Sequence, residues 1–516
     1  MDGHSTDVMI IGAGPTGLML AVCLERLGVP FLIADHKHGP TIESRALALQ
    51  ARSLEIYDQL GLADRVLAGA SAAPAIVPGF RDRPFATFSF RGLGGDLTPY
   101  PGIYVFEQSR NERLLVDALE EDGRGVLWGH RLEALERDAG GVTALLRDDD
   151  GAPARVRARY LVGADGASSA VRELSGIPFD GVTNPHTFYV ADARGVQGLV
   201  PDCVNLRFSA TDFLLTFPQG APGRHRLIGV VRTDGGEEVS EESAHATLAR
   251  EFGVRFDDTA WFSTYRVHHR VARRFRDGPV FLAGDAAHVH SPVGAQGMNT
   301  GLQDAHNLAC ALADVIHNGA AEDRLDGYQE DRRPVARTLV RSTDRLFGAV
   351  TADSPFSRFI RSEVLPRVAP VAGRILPRLA KRAGLFEYVS QIRIHYWMDP
   401  DARRRAHGRR GAVVGRRLPW NGDNFAALRE FAWQLHVYGD ADDAALERMG
   451  KESRLPVHHF DVLGNARLRA EASGAAGVVL LVRPDGFVAA ARPLPASVAD
   501  WAMHAPRAGG PRTRRG

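Results

Sequence analysis

DVMIIGAGPTGLMLAVCLERLGVPFLIAD, from Asp7 to Asp35, is the stretch of sequence that decides the fold of this chain. The apolar run Val8–Ile11 predicts a short buried strand, and residues Leu18–Leu27 favour a helix that ends at Gly28. A second apolar run follows and ends in Asp35. A strand, a turn, a helix and a second strand in this order predict the first βαβ unit of a Rossmann-like α/β domain.

Three glycines between the strand and the helix complete the pattern G-x-G-x-x-G. Gly12 permits the tight turn, Gly14 lets a pyrophosphate approach the backbone, and Gly17 lets the helix pack close to the strand. The helix N-terminus then faces the negative charge of the phosphates. Asp35 stands where a carboxylate binds a ribose 2′-hydroxyl, and it would repel a 2′-phosphate. The motif therefore favours FAD or NAD over NADP at this position.

Length and composition restrict the other possibilities. The chain has 516 residues, so we expect two or three domains. A net charge of +1 gives no global electrostatic reason to expect binding to nucleic acid or to a membrane surface. Three widely separated cysteines exclude a disulfide framework and indicate a cytoplasmic protein. No apolar run is long enough to span a bilayer, and the first strand begins too early for a signal peptide.

Two later segments repeat the pattern of an apolar strand that ends in glycine and aspartate. In RYLVGADGASSAVRELSG the strand ends at Asp165, which could also simply cap the following helix. In FLAGDAAHVHSPVGAQGMNTGLQDAHNLACAL the strand ends at Asp285, and a glycine-bearing loop leads into an amphipathic helix. Strand ends and helix starts are the places where α/β proteins bind ligands.

Together, IIGAGPTG, GADGASSAVR and FLAGDAAHVHSPVGAQGMNTGLQDAHNL resemble the single-component FAD-dependent aromatic hydroxylases, the group similar to para-hydroxybenzoate hydroxylase. Within that family the chain looks closest to hydroxylases of phenols and aromatic polyketides. It departs from the family in two places. Residues 291–295 read Ser-Pro-Val-Gly-Ala where Pro-Pro-Thr-Gly-Gly is usual, and Asp35 stands where glutamate is commoner.

This resemblance implies an enzyme that uses FAD, NAD(P)H and O2 to hydroxylate an aromatic, phenolic substrate of the polycyclic polyketide type through a flavin C4a-hydroperoxide. It implies that Asp285 reaches the ribityl chain, that the loop at Pro292 passes the flavin ring, and that Leu132 gives backbone contacts to the adenine. The residues expected to bind the cofactor are Gly12, Gly14, Thr16, Gly17, Asp35, Arg45, Gln108, Leu132, Asp165, Asp285, Pro292, Gly297, Met298 and Asn299.

The sequence is also compatible with other functions. The same cofactor could support a Baeyer–Villiger reaction or the modification of an antibiotic, and the chain could also be a flavin-binding or assembly protein without turnover. The sequence identifies no catalytic base and does not separate NADH from NADPH. His288 and His290 have no third ligand at a suitable spacing, so we interpret them as packing or hydrogen-bonding residues and not as a metal site.

The predicted fold class is α/β: a Rossmann-like FAD-binding domain with an inserted antiparallel-sheet substrate domain and a C-terminal thioredoxin-like domain. We assign 1–75, 107–182 and 277–345 to the FAD-binding domain and 76–106 and 183–276 to the substrate domain. We assign 346–411 to a helical linker, 412–504 to the thioredoxin-like domain without redox cysteines, and 505–516 to a disordered tail. Within the C-terminal domain, two strand signals meet at Pro484–Phe487, which predicts a hairpin turn. This domain is expected to be structural or to form a homodimer.

The substrate domain contributes aromatic side chains, most of which belong to its core and some of which line a pocket. Phe213 and Tyr265 are the two for which we predict substrate contact. The wider set of aromatic candidates is Phe80, Phe90, Tyr104, Phe188, Phe208, Phe213, Phe217, Trp261 and Tyr265.

Overall fold

The computed structural model describes residues 2–42, 46–209, 212–231, 240–290, 296–351, 363–364, 367, 384–398, 413–461, 464–499 and 501. Two residues predicted to bind the cofactor, Arg45 and Pro292, lie outside the described residues. So do most of the linker predicted at 346–411 and the tail predicted at 505–516.

Strands make up most of the framework around the cavity. In chain order they are β1 Asp2–Ile11, β2 Phe31–Ala34, β3 Ala48–Leu49, β4 Ser71–Ala73, β5 Ala75–Phe80, β6 Arg83–Pro84, β7 Phe88–Ser89, β8 Ile103–Val105, β9 Arg131–Asp138, β10 Gly141–Arg147, β11 Pro153–Gly163, β12 Phe179–Arg194, β13 Val204–Phe208, β14 Phe213–Pro218, β15 His225–Val231, β16 Asp258–Ala272, β17 Arg276–Asp277, β18 Val280–Leu282, β19 His288–Val289, β20 Gln434–Gly439, β21 Val457–Phe460, β22 Gly477–Val482 and β23 Val488–Pro493.

Helices cover the sheets and connect their strands. In chain order they are α1 Pro15–Arg26, α2 Ala51–Gln59, α3 Ala63–Gly69, α4 Phe90–Gly94, α5 Gln108–Glu121, α6 Ala170–Leu174, α7 Glu241–Phe252, α8 Gly297–Ile316, α9 Asp326–Thr351, α10 Leu385–Val389, α11 Asp443–Ser453 and α12 Ala466–Ala472. Short 3-10 turns occupy Gly284–Ala286, Glu322–Leu325 and Ala426–Glu430.

The first sheet confirms the Rossmann-like prediction. Its strand order is β17-β18-β11-β1-β2, and β2, β1, β11 and β18 run parallel. The hairpin β9–β10 extends it through antiparallel pairing with β11. Helices α1, α5 and α8 pack together over this sheet, and the main hydrophobic core fills the space between them. The carboxyl ends of the four parallel strands therefore meet at one edge, where ligands of such sheets bind.

The glycine turn after β1 is shaped by close backbone contact. Gly12 has φ +105°, and a side chain on it would overlap the backbone of Ala164 after β11. A side chain on Gly17 would overlap the carbonyl oxygen of Gly12. These two positions therefore tolerate only glycine, and their close packing fixes the N-terminus of α1 against the ends of β1 and β11.

The second sheet has the order β19-β16-β12-β15-β14-β13-β5-β6, with β7 paired to β5. It is antiparallel as predicted except where β5 pairs in parallel with β13. Residues 85–90 do not form one continuous strand. Only β7 is extended, because the hydroxyl of Ser89 accepts a bond from the Gly92 N–H and starts α4 at Phe90. Phe188, Phe213 and their apolar neighbours form the core of this sheet.

A third sheet lies near the C-terminus, in the order β21-β20-β22-β23. β20 and β21 are parallel, and β20–β22 and β22–β23 are antiparallel. Every residue of β20 and β22 is buried, because separate apolar clusters cover the two faces of the sheet. The hairpin turn predicted at Pro484–Phe487 is confirmed between β22 and β23. A small sheet, β3-β8-β4, packs beside these elements.

Among the described residues, no helix is long and apolar enough to cross a membrane. The same part of the chain contains no group of three or more His, Cys, Asp or Glu side chains that could hold a metal ion.

Candidate cofactor and substrate site

A cavity of about 610 Å³ opens at the carboxyl edge of the first sheet and continues to the face of the second. Its volume is in the range of small-molecule and cofactor sites. Eleven of the residues predicted for the site lie along its wall: Gly12, Gly14, Thr16, Asp35, Gln108, Leu132, Asp165, Asp285, Gly297 and Met298 from the cofactor prediction, and Tyr265 from the substrate prediction.

Three other predicted residues do not line this cavity. Gly17 lies behind the wall, where its role is to permit contact with Gly12. Asn299 is fully buried, and its side chain bonds to the segment at the start of α2. Phe213 is buried in the core of the second sheet, in edge-to-face contact with Phe188, whose ring stacks on Tyr265.

The glycine turn and its acid form one end of the cavity. Asp35 is buried, and its carboxylate accepts the N–H of Ala13 at 2.6 Å and that of Lys37 at 2.8 Å. A Cβ on Gly14 would meet no protein atom within 4 Å and would project into open space, so the backbone there is accessible. A helix N-terminus, an accessible glycine backbone and an oriented carboxylate are the groups that a dinucleotide requires.

A buried ion pair, which sequence reasoning missed, lies beside this end. Glu112 is fully buried; its Oε2 accepts from the backbone N–H of Thr41 at 2.7 Å and from Lys37 Nζ at 3.3 Å. Its Oε1 accepts from the side-chain amide of Gln108 at 2.9 Å. Glu112 therefore orients three groups that line the cavity. One signal was available, since Glu112 follows Gln108 by one helical turn and so shares its helix face.

Asp165 combines the two roles that the sequence left open. It lines the cavity, and its carboxylate also accepts from Ser169 Oγ at 2.6 Å and from the Val171 N–H at 3.1 Å at the start of α6. Burial raises the pKa of this carboxyl group, although these hydrogen bonds act in the opposite direction. Arg172 connects α6 to the 3-10 turn Gly284–Ala286, because it donates a hydrogen bond to the carbonyl oxygen of Ala286 at 3.0 Å.

A buried cluster of charged side chains holds the 3-10 turn that carries Asp285. Asp304 on α8 accepts from the N–H of Gly284 at 3.2 Å and contacts His288 Nε2 at 2.6 Å. Its other oxygen accepts from Arg332 Nε at 2.7 Å. Burial opposes the charge of Asp304, but Arg332 and His288 hold its pKa below the ordinary value. The interpretation of His288 as a hydrogen-bonding residue agrees with this contact. Asp285 itself is exposed to the cavity.

The opposite end of the cavity has a different character. Phe217, Ile228 and Tyr265 of the second sheet form its apolar wall, together with Val289. Polar atoms are added by His268, His290 and Gln296. His268 Nδ1 lies 3.0 Å from Thr183 Oγ1. Two of the nine aromatic candidates, Phe217 and Tyr265, therefore line the cavity. Tyr265 was predicted to contact the substrate, whereas the strand pattern could not single out Phe217, because its neighbours alternate in the same way.

The fold and the site define the flavoprotein type of oxidoreductase, because a Rossmann-like sheet and a mostly antiparallel sheet meet at one cavity. The residues present fit FAD. The open space at Gly14 admits a pyrophosphate, and a backbone N–H orients the Asp35 carboxylate, which can bind a ribose. Residues 5–343 match the family described as "FAD binding domain", and the chain belongs to that family.

Similar proteins include the 6-methylpretetramide 4-monooxygenase of Streptomyces rimosus, 34% identical over 95% of this chain and 91% of that protein. A 12-dehydrotetracycline 5-monooxygenase/anhydrotetracycline 6-monooxygenase of the same species is 33% identical over 93% of this chain and 94% of its own length. The solved structure of the anhydrotetracycline hydroxylase OxyS from Streptomyces rimosus superposes with a TM-score of 0.73 at 30% identity, covering 99% of this chain and 100% of that one.

The chain is thus an FAD-dependent monooxygenase of the aromatic hydroxylase group, with NAD(P)H as co-substrate. The predictions of family, cofactor and reaction class are confirmed by these relationships.

Proposed function

We propose that this enzyme uses O2 to hydroxylate a phenolic ring of a polycyclic, polyketide-type substrate. The observation that carries the proposal is the single cavity that joins the glycine turn to an aromatic wall on the second sheet. Two of the relatives named above act on tetracycline-type compounds according to their names, which supports a polycyclic ring system. A wall of Phe217, Ile228 and Tyr265 suits the flat face of such a substrate.

We assign the cofactor to the predicted residues that line the cavity. Gly12, Gly14 and Thr16 would hold the pyrophosphate, Asp35 the adenosine ribose, and Leu132 the adenine. Asp285 would bind the ribityl chain, while Gly297 and Met298 at the N-terminus of α8 would face the ring. When bound and reduced by NAD(P)H, FAD would activate O2, so that one oxygen atom is transferred to the ring and the other leaves as water. The N-terminus of α8 stabilises negative charge in front of it.

The tasks left to the protein are orientation and exclusion of water. We assign Tyr265 to the ring of the substrate, because Tyr265 lines the cavity and Phe188 supports it from behind. Phe213 would support Phe188 and act on the substrate only through this stack. His268 and His290 are two of the side chains on this wall that can hydrogen-bond to a phenolic hydroxyl group.

We also propose that the first sheet belongs to an FAD-binding domain and the second sheet to a substrate domain. We propose that the C-terminal domain is thioredoxin-like; the order β21-β20-β22-β23, one parallel pair, and helices α11 and α12 between its strands support this proposal. We propose a homodimer in the cytoplasm. The three buried, unpaired cysteines support a reducing compartment.

The test is oxidation of NADPH in air by the purified full-length protein, offered small phenols or polycyclic phenolic polyketides, with product masses and structures recorded. We expect polycyclic phenols to stimulate oxidation and to gain one oxygen on the ring. Ring expansion by that oxygen would identify a Baeyer–Villiger enzyme. Absence of bound flavin and of NADPH oxidation would contradict the proposal.

Asp285→Ala tests the assignment of the site. We expect it to lose bound flavin or to slow flavin reduction by NADPH, because the exposed carboxylate at the cavity is removed. Asp461→Ala, which removes an exposed carboxylate in the C-terminal domain, is the control and should leave both properties unchanged. Equal turnover by the two variants would remove Asp285 from the site.

A further inference from the structure

The turn between β22 and β23 is buried, although turns normally lie on the surface. Asp485 in this turn is 1% exposed. Its Oδ2 accepts from Asn307 Nδ2 on α8 at 2.9 Å and from the hydroxyl of Tyr396 at 2.8 Å. The hairpin of the C-terminal domain therefore reaches the helix that begins at the cavity.

The same turn also bonds to α2. Arg52 Nη2 donates to the carbonyl of Asp485 at 2.8 Å, and Gln59 Nε2 donates to the carbonyl of Pro484 at 2.7 Å. Glu55 extends the contact by pairing with Arg417 at 2.9 Å. One side of α2 is thus held by the C-terminal domain over most of its length.

The other side of α2 holds the start of α8. Asn299 Oδ1 accepts from the backbone N–H of Gln50 at 2.9 Å and from Ser53 Oγ at 2.7 Å. Its Nδ2 donates to the carbonyl of Ala48 at 2.7 Å. Ala48 and Met298, the direct neighbour of Asn299, both line the cavity. The path from the buried hairpin to the cavity wall therefore passes through one short helix.

The junction contains charged side chains of both signs that are largely buried. Arg483 contacts Asp485 at 3.0 Å and Asp331 at 2.9 Å, and Arg52 contacts Glu55 at 3.2 Å. Removal of one member leaves a partner buried without compensation, which destabilises the arrangement strongly. The hairpin therefore has one well-defined docked position.

We infer that Asp485 and Arg52 are positioning residues, through which the C-terminal hairpin holds α2 and the start of α8 in the places where FAD binds. Docking of the hairpin and occupation of the cavity are then coupled, and the coupling acts in both directions. On this basis the C-terminal domain supports the cofactor site from outside, although none of its described residues lines the cavity. This inference rests on the proposed function.

The first experiment measures the affinity of the apoprotein for FAD. Asp485→Asn and Arg52→Lys should each raise the Kd for FAD about tenfold, a normal size for a coupling between sites. The matched control is Asp58→Asn. Asp58 also lies on α2 and contacts the C-terminal domain, but through the exposed side chain of Arg429. Its Kd should stay within about twofold of the wild-type value.

The second experiment uses the wild-type chain alone and remains decisive if the variants do not fold. FAD should slow hydrogen exchange at residues 482–488 of the hairpin. Exchange at Val457–Phe460, the edge strand of the same sheet, should not change. Equal exchange at the hairpin with and without FAD would overturn the inference, as would variants that bind FAD like the wild type. Failure of the wild-type protein to bind FAD would instead overturn the proposed function, and the inference with it.

Discussion

Gly14 and Gly17 lie one helical turn apart, yet the structure gives them different tasks. A side chain on Gly17 overlaps the carbonyl of Gly12 inside the protein, whereas one on Gly14 meets only the cavity. The two positions therefore separate the stability of the fold from the binding of the cofactor.

We predict that Gly17→Ala lowers the free energy of unfolding of the apoprotein by about 3 kcal/mol, because the backbone must move to admit the methyl group. Gly14→Ala should change that free energy by less than about 1 kcal/mol and weaken FAD binding about tenfold or more, because its methyl group occupies the space of the pyrophosphate. Urea unfolding and FAD titration measure the two effects. Similar behaviour of both variants would contradict this division.

Among single residues, the sequence predicted those whose role depends on neighbours within one short segment. The glycine turn and Asp35 belong to one short segment whose spacing carries its meaning. Lys37 and Glu112 pair only because α5 packs beside the first sheet, and no spacing in the chain announces that contact. Gly17 and Asn299 were expected at the cofactor, but the structure places both behind the cavity wall.

Among the elements, α8 connects most of the site. It begins at the cavity with Gly297, and its buried residue Asp304 holds the turn that carries Asp285. The sequence predicted this amphipathic helix correctly. The polar residues on the same helix had no such pattern, since their partners come from β19, α9 and the C-terminal sheet.

We predict that Asp304→Asn lowers the free energy of unfolding by about 3 to 5 kcal/mol, because it leaves Arg332 buried without a counter-charge. The double variant Asp304→Asn/Arg332→Met should recover a large part of that loss, since it removes both charges. Urea unfolding of the apoproteins measures both values. A double variant that is less stable than Asp304→Asn alone would show that charge compensation is not the cause.

For the whole molecule, buried histidines predict the response to acid. His436 in the C-terminal sheet is fully buried, and burial, with a smaller effect of His458, lowers its pKa to about 3. The unfolded chain takes up the proton near the ordinary value of about 6.5. The stability from neutral His436 is therefore complete above that pH and is lost as the pH falls towards 3.

At pH 5 this histidine alone should cost the protein about 2 kcal/mol relative to pH 7.5. His436→Gln removes the titrating group, so the decrease in the free energy of unfolding between these pH values should be smaller by that amount. Urea unfolding at the two pH values measures it. An equal decrease in both proteins would contradict the buried, neutral state of His436.

Strand patterns and turn residues predicted the sheets. They did not predict the contacts that join the C-terminal sheet to the rest of the molecule. The turn at Pro484–Phe487 was expected as an ordinary hairpin. Its burial depends on Arg52 and Asn307, which are far away in the sequence and only meet it in the folded chain. The parallel pairing of β5 with β13 is a similar case, because the two strands are far apart in the sequence.

The strand order of the first sheet also determines how long the growing chain stays incomplete during synthesis. β1 finds its second neighbour only when β11 has emerged from the ribosome, and β11 must in turn wait for β18. Until these partners emerge, the unpaired edges of β1 and β11 can pair with other chains. The turn at Pro484–Phe487 emerges after all of these strands. The yield of folded protein from a cell should therefore depend on chaperones and on slow translation more strongly than its final stability would suggest.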